Sequence, residues 1–330
     1  MMKSELQVAI LGTRFSDFGI ERSVLEPIGA RITDGSGDDR TSIIEQGGGA
    51  DVILAGSGPK FDAQTLEALT CKGIVRYGVG TESIDLEAAK RLGIWVARVA
   101  DYGTEAVATH AVALALAAVR RLREADLRIR SGNWGFAQLR PLHLPSAMTV
   151  GVVGAGRIGR HAAGQFVGLG FKVLTYDIIE PIQMIPGVQF ISSLDGLIAQ
   201  SDVLSLHLPA APGGSPLFDG AMLDKLKPGS IIVNTSRGTL IEPSALAQGL
   251  SVGKPAFAAL DVFATEPPNL AVFDGVEDQL LLSPHMAWYT EESEADLRFK
   301  AAHEARRLLL GEQPNEIVVE PSFERVKVKQ

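Results

Sequence analysis

The sequence predicts an α/β protein built as two doubly wound parallel sheets along 330 residues. Three observations carry this prediction. Short apolar runs alternate with helix-like stretches from Gln7 to about Val96, a long Ala/Leu/Arg-rich helical pattern over Thr104–Arg130 interrupts them, and the alternation restarts at Thr149. Such alternation makes βαβ units, whose strands lie parallel because each helical crossover returns the chain to the same edge of the sheet. A chain of 330 residues also exceeds one ordinary core and fits two.

In the first domain the expected strands are Val8–Leu11, Val52–Ala55, Ile74–Tyr77 and Ile94–Val96, with helices over Asp62–Leu69 and Asp85–Arg91. The Thr104–Arg130 pattern is too long for a routine crossover and runs into an irregular stretch through Gly132, Pro141 and Pro145, so it reads as an interdomain helix and linker. In the second domain the expected strands are Thr149–Val153, Lys172–Tyr176, Val203–Leu206, Ser230–Asn234, Ala256–Leu260 and Gln279–Leu282. The last helical pattern, Glu291–Leu310, is amphipathic, and the tail behind it, with Pro314 and Pro321, is expected to return to the first domain.

Composition narrows the function classes. With 46% hydrophobic residues, 21% charged residues and 35 glycines, the chain reads as a soluble globular protein rich in tight turns. A net charge of −8 without any Lys/Arg run argues against nucleic acid as a partner. The single Cys71 cannot form an internal disulfide and has no Cys/His companions for a metal site, so the expectation is no metal and a reducing, cytoplasmic setting. The opening MMKSELQVAILG carries too short an apolar run for a signal peptide and reads as a first strand. The apolar region around Ala106–Val119 is broken by Thr109 and His110 and falls short of the ~20 residues of a membrane span.

The strand Thr149–Val153 leads into Gly154-Ala155-Gly156-Arg157-Ile158-Gly159, and a helical pattern follows at once. This is the G-x-G-x-x-G spacing in the strand–turn–helix context that gives it meaning. Gly154 permits the tight turn, Gly156 lets backbone approach a pyrophosphate, and Gly159 lets helix pack on strand. The next strand ends in Asp177, placed to accept hydrogen bonds from an adenosine ribose. That carboxylate would repel a 2′-phosphate, and Ile178 and Ile179 stand where an arginine would welcome one, so NAD is expected over NADP.

Three further segments end strands of the second sheet: Asn234–Gly238, Leu260–Pro267 and Ser283–Trp288. Each offers one strongly functional side chain. Arg237 has the planar, permanently charged fork that grips a carboxylate. His285 can give and take a proton near neutrality, and Glu266 can bond its far ring nitrogen, orient the ring and favour its protonated form. Singly, each has a plainer reading: a surface ion pair, a helix cap before Pro267, a loop histidine. Their co-occurrence behind a well-placed dinucleotide motif favours hydride-transfer chemistry over the plainer readings.

The ordered set GAGRIG, Asp177, NTSRG, ALDVFATEP and SPHMAW, with RYGVGTESID at Arg76–Asp85, closely resembles the D-isomer-specific 2-hydroxyacid dehydrogenase family along nearly the whole chain. The resemblance implies a Rossmann NAD-binding domain at 101–292 inserted in a flavodoxin-like substrate domain made of 1–100 and 293–330, a cleft that closes on binding, and a homodimer built on the cofactor domains. It implies a catalytic triad of Arg237, Glu266 and His285. By the same likeness Val79 and Gly80 bind the substrate carboxylate through backbone N–H groups, and Asp261 bonds the nicotinamide carboxamide. Arg157, Ile158, Pro209, Thr235 and Ser236 would line the cofactor.

The chain departs from the family pattern at Thr109, which replaces a usual acid, at Glu82-Ser83, which replaces Asp-Asn, and at Ala210–Pro216, which lacks a usual threonine. Glu266 stands where formate-oxidising relatives carry glutamine, which disfavours formate. No regulatory extension is expected behind the last helix, unlike the large phosphoglycerate dehydrogenases. Trp288 is expected to shape the pocket in favour of an apolar or planar tail over a phosphate, against a plainer role as a core or hinge aromatic. His285–Tyr289 also resembles the matching segment of the C-terminal-binding corepressors, which leaves an NAD-sensing binding protein as an alternative. An NAD-dependent sugar-acid oxidation followed by rearrangement is the other.

Overall fold

The structure is a computed structural model that describes residues 5–181, 183, 185–210 and 214–321. Part of the Ala210–Pro216 departure, the first residues of the opening segment and the end of the tail lie outside the described residues. The chain divides into two compact units, 1–103 with 290–330, and 104–289.

The first unit begins with β1 (Leu6–Leu11), α1 (Gly19–Leu25), β2 (Ala30–Gly35), α2 (Arg40–Gly47), β3 (Val52–Ala55), α3 (Ala63–Ala68), β4 (Gly73–Arg76), α4 (Leu86–Leu92) and β5 (Trp95–Arg98). Helix starts are chemically marked. Asp39, Asp62 and Asp85 each accept a hydrogen bond from a first-turn N–H of α2, α3 and α4, and Gly93 ends α4 in the left-handed conformation. β3 and β4 are buried along their whole length, as strands covered by helices on both faces must be.

The second unit runs α5 (Thr104–Val119), α6 (Leu122–Arg130), β6 (Thr149–Val153), α7 (Arg157–Gly168), β7 (Lys172–Tyr176), β8 (Val188–Phe190), α8 (Leu194–Gln200), β9 (Val203–Leu206), α9 (Gly220–Leu223), β10 (Ile231–Asn234), α10 (Pro243–Ser251), β11 (Phe257–Leu260) and β12 (Leu280–Leu282). Its seven strands are all parallel in the order β8-β7-β6-β9-β10-β11-β12, the doubly wound dinucleotide-binding arrangement with one extra strand. Two apolar layers sandwich the sheet. One gathers Ala111, Ala115, Ala162 and Phe166 from α5 and α7, the other Leu197, Leu223 and Leu246 from α8, α9 and α10.

The expected single helix over Thr104–Arg130 is two helices. Arg121 adopts φ +50°, which breaks the hydrogen-bonded ladder between α5 and α6. The break separates two environments: α5 buries eight residues, whereas none of α6 is buried. The chain then returns to the first unit with α11 (Glu291–Leu310), capped by Thr290 and ended by left-handed Gly311, and with β13 (Ile317–Val319). The first sheet is thus six-stranded, in the order β13-β5-β4-β3-β1-β2. Its five parallel strands follow the flavodoxin-like winding, and β13 adds an antiparallel edge that the sequence expectation lacks. No helix among the described residues is long and apolar enough to cross a membrane.

Candidate active site

Strand register gathers the site of the second unit. Val153 pairs with Tyr176 and Leu206, Leu206 with Asn234, Asn234 with Leu260, and Leu260 with Leu282. These residues form one row at the carboxyl ends of parallel strands, so the loops that follow all leave the sheet at one edge. Those loops carry Gly154–Gly156, Asp177, Pro209, Thr235–Arg237, Asp261–Glu266 and Ser283–Trp288.

The glycine loop sits where the strand order reverses, between β6 and β9. Gly154 has φ +101°, and a Cβ there would lie 2.3 Å from the His207 carbonyl oxygen; a Cβ on Gly159 would lie 1.9 Å from the Gly154 carbonyl oxygen. Glycine alone permits this approach. Gly156, the N-cap of α7, faces open space instead. Helix α7, like α10, has neither a side-chain cap nor an acidic residue in its first turn, and α7 directly follows the glycine turn. The start of α7 therefore suits a pyrophosphate, which would supply the missing acceptors.

Around this cradle the other expected cofactor residues take distinct positions. Asp177 Oδ2 accepts the Ala155 N–H at 2.6 Å and Oδ1 accepts the Ile179 N–H at 3.2 Å, so the acid also braces the glycine loop. A carboxylate has about four acceptor positions, which leaves capacity for ribose hydroxyls. Arg157 and Pro209 are exposed, while Ile158 packs its side chain on the core. Thr235 is buried, and its Oγ1 finds no partner among the described residues; a buried hydroxyl of that kind fits a ligand-facing position. The adjacent Ser236 donates its Oγ hydrogen to the Leu206 carbonyl.

His207, behind the glycine loop, escaped the sequence reading. Its Nε2 lies 2.9 Å from Ser205 Oγ, Nδ1 finds no partner among the described residues, and burial pushes its pKa down to about 4 from 6.5. As pH falls, the unfolded chain takes up this proton first. The stability contribution is therefore intact above pH 6.5 and is lost progressively down to pH 4. We expect urea unfolding of the wild type to weaken by about 2 kcal/mol more between pH 7 and pH 5 than that of His207→Gln.

At the other end of the row, Glu266 Oε2 lies 2.7 Å from His285 Nδ1, while Oε1 accepts the Phe263 N–H at 3.1 Å. The carboxylate is thus fixed to backbone on one side and to the imidazole on the other. A Cβ on Gly238 would lie 1.9 Å from the Phe263 carbonyl carbon, so the Arg237 turn abuts the loop that carries Glu266. Arg237 Nη1 donates to its neighbour's carbonyl, Ser236 O, at 2.9 Å, and Asn234 Nδ2 holds the Arg237 carbonyl. Trp288 is half-buried, its ring edge-on to Tyr289 with centroids 5.7 Å apart.

Asp261 is fully buried. Its Oδ1 accepts from Ser283 Oγ at 2.6 Å and from the Met286 N–H at 3.0 Å, and its Oδ2 accepts from the Ala287 N–H at 2.9 Å. Its carboxylate therefore ties down the turn that presents His285.

In the first unit, considered by itself, the loop after β4 turns its carbonyls inward. Arg76 Nη1 donates to Tyr77 O at 3.0 Å, the Val99 N–H to Gly78 O at 3.3 Å, and Arg98 Nη1 to Val79 O at 3.4 Å. The Val79 and Gly80 N–H groups take no backbone partner among the described residues. Sequence reading singled out these two residues but not the two arginines behind them.

Residues 112–287 match the family model described as "D-isomer specific 2-hydroxyacid dehydrogenase, NAD binding domain". Among curated relatives, D-3-phosphoglycerate dehydrogenase of Mycobacterium leprae (strain TN) is 36% identical over 280 residues, covering 84% of this chain and 52% of its own length. The chain thus spans about half the length of such relatives. Glyoxylate reductase of Thermofilum pendens (strain Hrk 5) is 36% identical over 282 residues and is covered to 81%, as is this chain. Among solved structures, D-lactate dehydrogenase from Aquifex aeolicus, complexed with NAD and lactic acid, is similar at a TM-score of 0.85 and 26% identity, over 96% of this chain and 100% of that one.

Proposed function

The chain belongs to the D-isomer specific 2-hydroxyacid dehydrogenase family, with its NAD-binding domain over 112–287, and from that premise we propose that it interconverts a small 2-oxo acid and the D-2-hydroxy acid. The observation that carries this reading is the 2.7 Å His285–Glu266 pair on the same sheet edge as the glycine cradle. Bound NAD supplies the hydride acceptor in one direction and the donor in the other. Arg237 grips the substrate carboxylate and polarises the C2 carbonyl, and the Val79 and Gly80 N–H groups add donors to that carboxylate. Because Glu266 occupies Nδ1, His285 is left with Nε2 to protonate the oxygen at C2, or to take that proton back in oxidation. Trp288 bounds the space for the substrate tail.

For the cofactor, the reading assigns the pyrophosphate to Gly154–Gly159, the adenosine ribose to Asp177 and the nicotinamide end to Thr235, Ser236 and Asp261, with Pro209 alongside. The first unit is read as the substrate domain. The test is a panel of 2-oxo acids (glyoxylate, hydroxypyruvate, pyruvate, branched, aromatic and sugar-derived) assayed with NADH and with NADPH. Turnover of at least one acid is expected, with NADH preferred by about a hundredfold in kcat/KM because a 2′-phosphate would face Asp177. Silence across the panel overturns the reading, and an NADPH preference overturns the assignment of Asp177.

A homodimer through the cofactor domain is part of the same proposal. On and after α6, Leu122, Ile129, Trp134, Phe136 and Leu144 are each more than half exposed, an apolar run that suits a second copy of the chain. Sedimentation should give a dimer for the wild type and a monomer for Leu122→Asp/Ile129→Asp. A cytoplasmic setting fits the one cysteine, Cys71, whose thiol burial pushes up to about 12 and so keeps unreactive.

A further inference from the structure

His285 and Arg121 are the residues other than glycine with positive φ among the described residues, and His285 sits at +52°. A β-carbon-bearing residue adopts that conformation only where its surroundings enforce it. Here a single residue does the enforcing. The Asp261 carbonyl accepts the His285 N–H at 2.8 Å, and the Asp261 carboxylate accepts the next two backbone N–H groups, of Met286 and Ala287. The direction in which the imidazole leaves the backbone thus depends on the rotamer of one buried carboxylate.

That rotamer is held in turn. Ser283 Oγ donates its one hydrogen to Asp261 Oδ1 at 2.6 Å, and the same oxygen lies 3.0 Å from His110 Nε2. Since Ser283 has no second hydrogen, Nε2 of His110 must carry the proton and donate. His110 belongs to the 16-residue helix α5, whose Ala111 and Ala115 are fully buried against the sheet. The helix therefore gives the chain a rigid anchor.

We propose that His110, acting through Ser283 on Asp261, is a positioning residue for His285: it fixes the buried carboxylate that holds the left-handed turn. The assignment rests on the dehydrogenase reading for its kinetic consequence but not for its structural one. It also gives the polar break in the apolar helix a role, one that neither the glycine motif nor the triad explains.

The test compares His110→Ala, His110→Gln, Ser283→Ala and Ser283→Thr in the full-length protein. It uses amide hydrogen exchange over 284–288, the NADH dissociation constant, and kcat on the best 2-oxo acid. Gln carries an N–H close to the position of Nε2, and Thr keeps the hydroxyl, so both should behave as rescues. Each alanine variant is expected to speed exchange of the Met286 and Ala287 amides about tenfold. Each should also lower kcat by about ten- to a hundredfold, with NADH affinity, which Asp261 also serves, weakened by much less than kcat and with Gln and Thr restoring most of both. Unchanged exchange in both alanine variants overturns the proposal. So does a kcat loss matched by weaker NADH binding, which would return Asp261 to a purely cofactor-binding role. If the wild type reduces no 2-oxo acid while the exchange pattern follows expectation, the dehydrogenase reading fails and the positioning of the turn stands.

Discussion

Replacing His285 with alanine is expected to lower kcat by about two to four orders of magnitude and to leave NADH affinity within about twofold. The geometry dictates this split. The imidazole is half-exposed, packs into no core, and spends Nδ1 on Glu266 at 2.7 Å. Its removal therefore costs little stability and no part of the glycine cradle, and what disappears is the proton carried at Nε2. Arg237→Ala should behave differently, raising KM and lowering kcat together, because its guanidinium serves both ground-state binding and the polarised carbonyl. Stopped-flow NADH binding and steady-state rates on one preparation of each variant separate the two patterns. A His285→Ala enzyme with near-normal kcat/KM would remove histidine from the chemistry and, with it, the meaning given to Glu266.

The sequence carried the linear part of this site and left the lateral part unread. GAGRIG, Asp177, Arg237, Glu266 and His285 were legible because each follows an apolar strand-like run, and parallel strands deliver such positions to one edge. What periodicity cannot convey is who stands behind them. His110 appeared only as a polar break in an apolar helix, and its partner Ser283 lies 173 residues away. Arg76 and Arg98 were given no role, although their side chains donate to the Tyr77 and Val79 carbonyls. The fold shows the same division. Fully buried strands such as β3 and β9 were plain, whereas β2, with its polar alternation, and the three-residue β8 and β13 depend on pairing with neighbours to be strands at all. Arg121 broke the expected long helix because packing ceases there, and packing cannot be read from helix propensity.

Arg298→Ala is expected to destabilise the first unit by about 3–5 kcal/mol, the largest stability effect of any single exchange proposed for this chain. Arg298 on α11 is nearly buried and meets Glu21 on α1, which is wholly buried, through two bonds, Nε to Oε1 at 3.0 Å and Nη2 to Oε2 at 2.9 Å. Its Nη2 also donates to the Asp17 carbonyl at 2.6 Å, and its guanidinium lies 4.7 Å over the Phe15 ring. Tyr77 closes the group, its hydroxyl donating to Glu21 Oε1 at 3.0 Å; burial first, and then the carboxylate, hold that phenol well above its ordinary pKa, so it remains a donor. Removing Arg298 leaves the buried Glu21 carboxyl with the phenol as its remaining side-chain partner among the described residues, and a buried ionisable group so stripped is what costs most. The pair itself need not be worth that much, since its Coulomb gain is set against the desolvation of two ions. The double variant Glu21→Leu/Arg298→Met should therefore recover most of the loss in urea unfolding, and additive losses in the double variant would disprove this account. Tyr77 immediately precedes Gly78–Gly80, so the same node holds the end of the loop whose N–H groups are assigned to the substrate carboxylate. At temperatures where Arg298→Ala remains folded, it should accordingly raise KM more than it lowers kcat.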